Sequence, residues 1–169
     1  MIVLIVDGYN VIGSWPELKA LRDQDLAQAR DLLAEKLAEY QAYTGHRVII
    51  VFDAYNVQGL EKKVENHRVE MIYTREHETA DERIEKLVQE IKNVRTQVYV
   101  ATSDYTEQRT IFAQGALRKS SRELIAEIET IEKNIEKDVK KQNTMKTQAK
   151  IPIKKEILDV FEKWRRGEK

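Results

Sequence analysis

The sequence predicts an α/β protein: a parallel sheet flanked by helices in a Rossmann-like three-layer arrangement, with a C-terminal helical extension. Three observations carry this. Four short apolar runs, at residues 2–6, 48–52, 69–73 and 98–101, have the length and β-branched content of buried strands. Stripes at helical spacing lie between them, and strands alternating with helices argue for parallel pairing with right-handed crossovers. Each run also ends in an acidic residue or leads into one within a turn. Parallel strands would bring these acids to one edge, where open α/β sheets bind their ligands.

Taken in order, the first run is Ile2-Val3-Leu4-Ile5-Val6, followed by Asp7-Gly8-Tyr9-Asn10. Leu26, Ala29, Leu33, Leu37 and Tyr40 then form an apolar stripe that predicts a helix ending near Gly45. Val48-Ile49-Ile50-Val51-Phe52 leads into Asp53. Residues 54–68 show no helical stripe and are rich in polar groups, which predicts a loop or irregular crossover beside the acidic edge. Val69-Glu70-Met71-Ile72-Tyr73 precedes Glu78-Thr79-Ala80-Asp81-Glu82, and Ile84, Leu87, Val88 and Ile91 predict the next helix. Val98-Tyr99-Val100-Ala101 precedes Thr102-Ser103-Asp104, with a short helix expected over residues 105–114 and ending at Gly115. From Ala116, the narrow stripe Leu117, Leu124, Ile128, Ile131, Ile135 and Val139 predicts a long charged helix with one contact seam. Residues 137–155 hold seven lysines against the single acid Asp138, and read as a linker before a final helix over 155–166 bearing Ile157, Leu158, Phe161 and Trp164. Two regions are expected: a domain over 1–117 and a basic helical extension over 118–169.

Composition narrows the function classes. A length of 169 residues suffices for one domain plus an appendage, and no apolar run approaches the roughly 18 residues that a bilayer span requires. With no cysteine, disulfides, thiolate zinc sites and cysteine nucleophiles are excluded. The expectation is a cytoplasmic protein with no leader ahead of its first strand, no membrane association and no disulfide-linked partner. The zero net charge hides an asymmetry: residues 118–169 carry 15 Lys and Arg against 10 Asp and Glu, leaving 14 against 19 for residues 1–117 out of totals of 29 and 29. The basic half suits a polyanion, and the acidic half holds the converging carboxylates.

Asp7, Asp53, Asp81 and Asp104 are the candidate site. Converging carboxylates repel one another unless a multivalent cation sits among them, and hard oxygen donors suit Mg²⁺ or Mn²⁺. That chemistry serves a metal-dependent phosphodiesterase. Each acid also has a plain structural reading. Asp7-Gly8 suits a hairpin turn, although no complementary strand follows. Thr79-Ala80-Asp81-Glu82 is a capping box, which accounts for Glu82 and leaves Asp81 open. Ser103 or Asp104 can cap the next helix, and Asn10 can bind metal or phosphate or merely cap one. Lys62, Lys63, Arg68 and Arg75 can hold phosphates near the edge or simply face solvent, and Arg118 and Lys119 join them as candidate substrate contacts. His46, His67 and His77 lack zinc spacing, and no phosphate-binding glycine loop of the nucleoside triphosphate or dinucleotide type is present.

Leu4-Ile5-Val6-Asp7-Gly8-Tyr9-Asn10, Val51-Phe52-Asp53, Glu78-Thr79-Ala80-Asp81-Glu82-Arg83-Ile84 and Ala101-Thr102-Ser103-Asp104 together resemble the NYN domain, a branch of the PIN-like nucleases. With Gln114-Gly115-Ala116-Leu117-Arg118 and Phe161-Glu162-Lys163-Trp164-Arg165-Arg166, nearly the whole length is similar to the bacterial YacP-like proteins. The resemblance implies a cluster of Asp7, Asp53, Asp81 and Asp104 binding Mg²⁺ or Mn²⁺, with Asn10 and Ser103 assisting and Glu82 a weaker addition. It further implies an endoribonuclease acting on messenger RNA in association with the ribosome, leaving 5′-phosphate and 3′-hydroxyl ends. Two other classes compete. A phosphoacceptor signalling domain would need paired acids after the first strand and a lysine after a late one, and neither is present. A non-catalytic RNA- or ribosome-binding adaptor would use the basic tail and keep the acids for structure.

Overall fold

A computed structural model describes the backbone of residues 1–54, 62–66, 68–104, 109, 111 and 114–165, and their side chains except at 62–66 and 146–165. Its elements are β1 (Ile2–Asp7), α1 (Gly8–Ser14), α2 (Pro16–Gln24), α3 (Leu26–Thr44), β2 (Arg47–Phe52), β3 (Lys62–Asn66), β4 (Val69–Tyr73), α4 (Ala80–Ile91), β5 (Gln97–Ala101), β6 (Leu117–Lys119) and α5 (Ser121–Arg165). The chain forms two compact units, Met1–Glu129 and Thr130–Lys169.

The sheet runs in the order β3-β4-β2-β1-β5-β6. Five strands are parallel, and β3 pairs antiparallel with β4 at one edge. Alternate side chains of each strand point to opposite faces. Val3, Ile5, Ile49, Val51, Ile72, Val98 and Val100 form one face, and α4 covers it with Ile84, Leu87 and Val88. Leu4, Val6, Val48, Ile50 and Phe52 form the other, where α3 buries Ala29, Leu33, Leu37 and Tyr40. These strands are apolar throughout because helices cover both faces.

Helix α3 starts at the Asp25 cap, whose carboxylate accepts from the backbone of Ala27 and Gln28. It stops at Gly45, whose φ of 75° is the left-handed conformation that glycine adopts without a Cβ penalty. Thr79 caps α4 by accepting from the Glu82 backbone N–H.

Three expectations are corrected. Lys62–Asn66 is a strand rather than loop, registered as Lys62↔Tyr73 to Asn66↔Val69. Its charged, polar composition is what a sheet edge carries to resist further pairing, and that composition hides the strand. Leu117 is not part of a helical stripe; it begins β6, which pairs with β5. Residues 137–155 are not a linker, since α5 is one helix from Ser121 to Arg165. That stretch holds no glycine and seven lysines, good helix formers whose polarity resembles linker composition, and the helix continues through Pro152. Within the first unit, Leu124, Ile125 and Ile128 of α5 are buried. The helix expected over 105–114 lies mostly outside the described residues, although Arg109 and Ile111 are helical. His67 also lies outside them, as do the side chains of Ile157, Leu158, Phe161 and Trp164.

Candidate active site at the carboxyl edge

The parallel pairing sends the carboxyl ends of β4, β2, β1 and β5 to one edge. Successive parallel strands are added outward from β1 on one side as β2 and β4, then on its other side as β5 and β6, so the β1/β5 boundary is the switch point of the sheet. Asp7 ends β1 and is 9% exposed. Asp53 directly follows β2, Asp104 lies three residues beyond β5, and Asp81 stands in the first turn of α4 after β4. Asp53, Asp81 and Asp104 are half-buried.

Asp7-Gly8 is not a hairpin. The chain passes straight from β1 into α1, and the Asp7 carboxylate makes no capping bond to that helix. Gly8 is required by close approach: a Cβ there would overlap the ring of the fully buried Phe52.

Backbone clamps hold the neighbouring acids. The Thr74 N–H donates to the Phe52 carbonyl at 3.0 Å, and the Ala54 N–H donates to Thr74 Oγ1 at 2.9 Å. These two bonds fix the residues on either side of Asp53. Thr102 repeats the device, accepting from the Asp104 N–H through Oγ1 at 3.2 Å. Both threonines are fully buried. A threonine just past an apolar run is the sequence signal for them, and it is a faint one.

Asn10 is a tie between elements. Its Oδ1 accepts from the Ser103 N–H at 2.9 Å and from Ser121 Oγ at 2.7 Å. The Ser121 N–H donates to Ser103 Oγ at 3.4 Å, closing a small network across the switch point. Two donors on one end of the amide fix that end as the oxygen.

Glu78, just before the α4 cap, lies in a perturbed environment. Its side chain is 9% exposed, Oε2 accepts from Lys86 Nζ at 2.6 Å, and Oε1 is buried without a hydrogen-bond partner among the described residues. Burial opposes its charged form. The Lys86 hydrogen bond and charge, with the Arg75 backbone and Arg83, outweigh burial and hold the carboxyl below the ordinary glutamate value.

The remaining candidates divide by position. Glu82 is exposed in the first turn of α4. The antiparallel register brings the backbone of Lys62 to the carboxyl end of β4 opposite Tyr73, with Lys63 beside it. Arg75 is exposed just past that end. Arg68 precedes the amino end of β4, away from the edge, with a φ of 68°, and its carbonyl accepts from Gln41 Nε2. Arg118 is exposed in the middle of β6. Lys119 Nζ is paired with Glu127 at 2.5 Å and lies 5.5 Å from the Tyr99 ring centroid. Burial opposes the Lys119 charge, but the Glu127 hydrogen bond and Tyr40 outweigh it and raise its pKa. His46 is half-buried, 3.3 Å from Tyr40 Oη, and His77 is exposed.

Among the described residues no group of three or more His, Asp or Glu side chains is arranged to hold a metal ion. The donor chemistry nevertheless fits a hard divalent cation. Mg²⁺ keeps several waters and is held by one or two carboxylates plus substrate phosphate, so a full protein cage is not required. No helix among the described residues is long and apolar enough to cross a membrane.

The chain is 61% identical to "Uncharacterized protein YacP" of Bacillus subtilis (strain 168) over 168 residues, covering 99% of each. The crystal structure of Rae1 (YacP) from Bacillus subtilis matches with a TM-score of 0.77 at 62% identity, covering 99% of this chain and 96% of that one. Its W164L mutant matches at 0.76 and 56% identity, with the same coverage. The model of the YacP-like NYN domain matches residues 4–166, and the chain belongs to that family, whose fold is of nuclease type.

Proposed function

We propose that the protein is a divalent-metal-dependent endoribonuclease that hydrolyses a phosphodiester of messenger RNA to 5′-phosphate and 3′-hydroxyl ends, in association with translating ribosomes. The observation that supports this reading is that Asp7, Asp53, Asp81 and Asp104 each stand at or beyond the carboxyl end of a parallel strand, Asp7 and Asp104 on the two strands that flank the switch point. These four would hold Mg²⁺ or Mn²⁺, with Glu82 a secondary candidate. A bound cation of this kind supplies an activated water and charge stabilisation for phosphoryl chemistry.

The chain's own residues supply position. Asp7 is fixed by the last pairing of β1, Asp53 by the Thr74 clamp and Asp104 by Thr102. With Oδ1 of Asn10 engaged by Ser103 and Ser121, its Nδ2 is the end able to donate to a phosphate, and Ser103 stands beside it. Lys62, Lys63, Arg75 and Arg118 are candidate contacts for the flanking RNA; the paired Lys119 and the distant Arg68 have weaker claims. The lysines of residues 137–155 suit phosphates of an RNA-containing partner, contacts that depend on charge rather than sequence. A cytoplasmic setting follows from such a partner.

The test is Mg²⁺-dependent cleavage of RNA by the purified protein, measured on free transcripts and on transcripts being translated. Cleavage abolished by chelation is expected. RNA or ribosome binding without cleavage in either setting would favour the adaptor.

A further inference from the structure

We propose that Arg30, Tyr9 and Tyr73 form a nucleotide subsite beside the acidic edge, in which Arg30 holds a backbone phosphate of single-stranded RNA next to the bond that is cut. The inference rests on the endoribonuclease reading and adds to it the residues that seat the flanking nucleotide.

Three elements build the subsite. Tyr9 stands in the first turn of α1, two residues after Asp7. Tyr73 ends β4, paired in register with Phe52, the residue before Asp53. Arg30 reaches them from α3: Nη1 donates to Tyr9 Oη at 3.2 Å, and its guanidinium carbon lies 5.9 Å from the Tyr73 ring centroid. Buried Phe52 supports both tyrosines, with ring centroids 5.0 Å from Tyr9 and 5.6 Å from Tyr73, the latter pair stacked at 27°. Both rings are therefore held at the carboxyl edge, one beside Asp7 and one beside Asp53.

The chemistry points to an anion. Arg30 is half-buried, and no carboxylate among the described residues pairs with it. A partly desolvated guanidinium that donates to a neutral phenol keeps further donors whose fork matches the geometry of a phosphate, with Asp31 the nearby acid that also acts on Tyr73. Burial raises the Tyr73 phenol and Arg30 opposes that shift, so the hydroxyl stays protonated and able to donate at neutral pH. Cation and aromatic rings together are the combination that single-stranded nucleic acid selects, phosphate on the charge and base or sugar against the ring. Asp7 and Asp53 would repel the same phosphate, so a cation at their margin is needed for the strand to approach.

The experiment compares wild type with Arg30→Met, Arg30→Lys and, as a surface control, Lys19→Met. Affinity for a fluorescent single-stranded RNA oligomer is read in chelator across a range of salt, and cleavage of a translated transcript is read with Mg²⁺. Arg30→Met should weaken binding about ten-fold or more and reduce the salt slope by about 0.7, the share of one phosphate contact on a single strand. Arg30→Lys should restore the slope but only part of the affinity, because it keeps the charge and loses the fork. The control should change neither. Wild-type cleavage with an unchanged affinity and slope in Arg30→Met would overturn the subsite and leave the nuclease reading standing. A wild type that neither binds nor cleaves RNA would overturn both. A melting curve for each variant separates lost binding from lost folding, and a destabilised Arg30→Met with a folded Arg30→Lys of wild-type affinity also decides against the subsite.

Discussion

Ser121 Oγ donates to Asn10 Oδ1 at 2.7 Å across 111 residues of sequence, joining the first residue of α5 to the helix that follows Asp7. Ser121 is fully buried, so either partner removed alone leaves a polar group without its bond. Asn10→Ala should cost about 1–3 kcal/mol and Ser121→Ala about 1 kcal/mol. Because the two share one interaction, the double variant should fall short of their sum by about 1 kcal/mol in urea unfolding. Strict additivity would show that the bond contributes nothing to stability.

Gly8→Ala places a methyl against the Phe52 ring. Overpacking of this kind costs about 1–3 kcal/mol. The displaced ring adjoins Asp53 and supports Tyr9 and Tyr73, so cleavage should fall along with the melting temperature. Wild-type melting for Gly8→Ala would mean that Phe52 yields without cost.

Glu78 sets an acid limit on stability. Its folded pKa lies below the ordinary value of 4.5, so its contribution is present above that value and is lost as pH falls through the lower folded one. Urea unfolding from neutral pH to pH about 3 should show wild type more stable than Glu78→Gln near neutrality, with the gap closing below pH about 4.5. A gap constant across that range would assign the effect to packing rather than charge.

Divalent metal should stabilise the native state, because the unfolded chain does not hold the acids together. At a ten-fold excess over its dissociation constant, Mg²⁺ or Mn²⁺ adds about 1.4 kcal/mol, a rise of about 3–5 °C for a chain of this size. Asp7→Asn should shrink that rise. Equal rises in both would place the binding elsewhere.

Much of this architecture was legible in the sequence. The spacing of Leu33, Leu37 and Tyr40 placed α3, and the all-apolar runs before Asp7 and Asp53 placed two central strands, because burial on both faces leaves a strong pattern. The family match agrees with the motifs that suggested it. What escaped was written weakly or not at all. Strand β3 carries the charge of a sheet edge, and the exposed stretch of α5 carries the composition of a linker. Glu78 was visible as a letter, but its burial against Lys86 depends on how the 74–79 turn folds. Arg30 lies 21 residues from Tyr9, and only the packing of α3 against the sheet brings them together. The four acids were readable as strand ends; their mutual arrangement was not, since it depends on side-chain directions that spacing does not encode.

The most direct measurement is RNA cleavage by Asp7→Asn and Asp81→Asn beside their thermal melts. Relieving repulsion at the edge should leave both variants folded, with melting temperatures at or above wild type in the absence of metal. Their cleavage should fall by about a hundred-fold or more, the several kcal/mol that a bound cation gives the transition state. Cleavage at the wild-type rate by both variants would contradict the assignment of this edge as the catalytic centre.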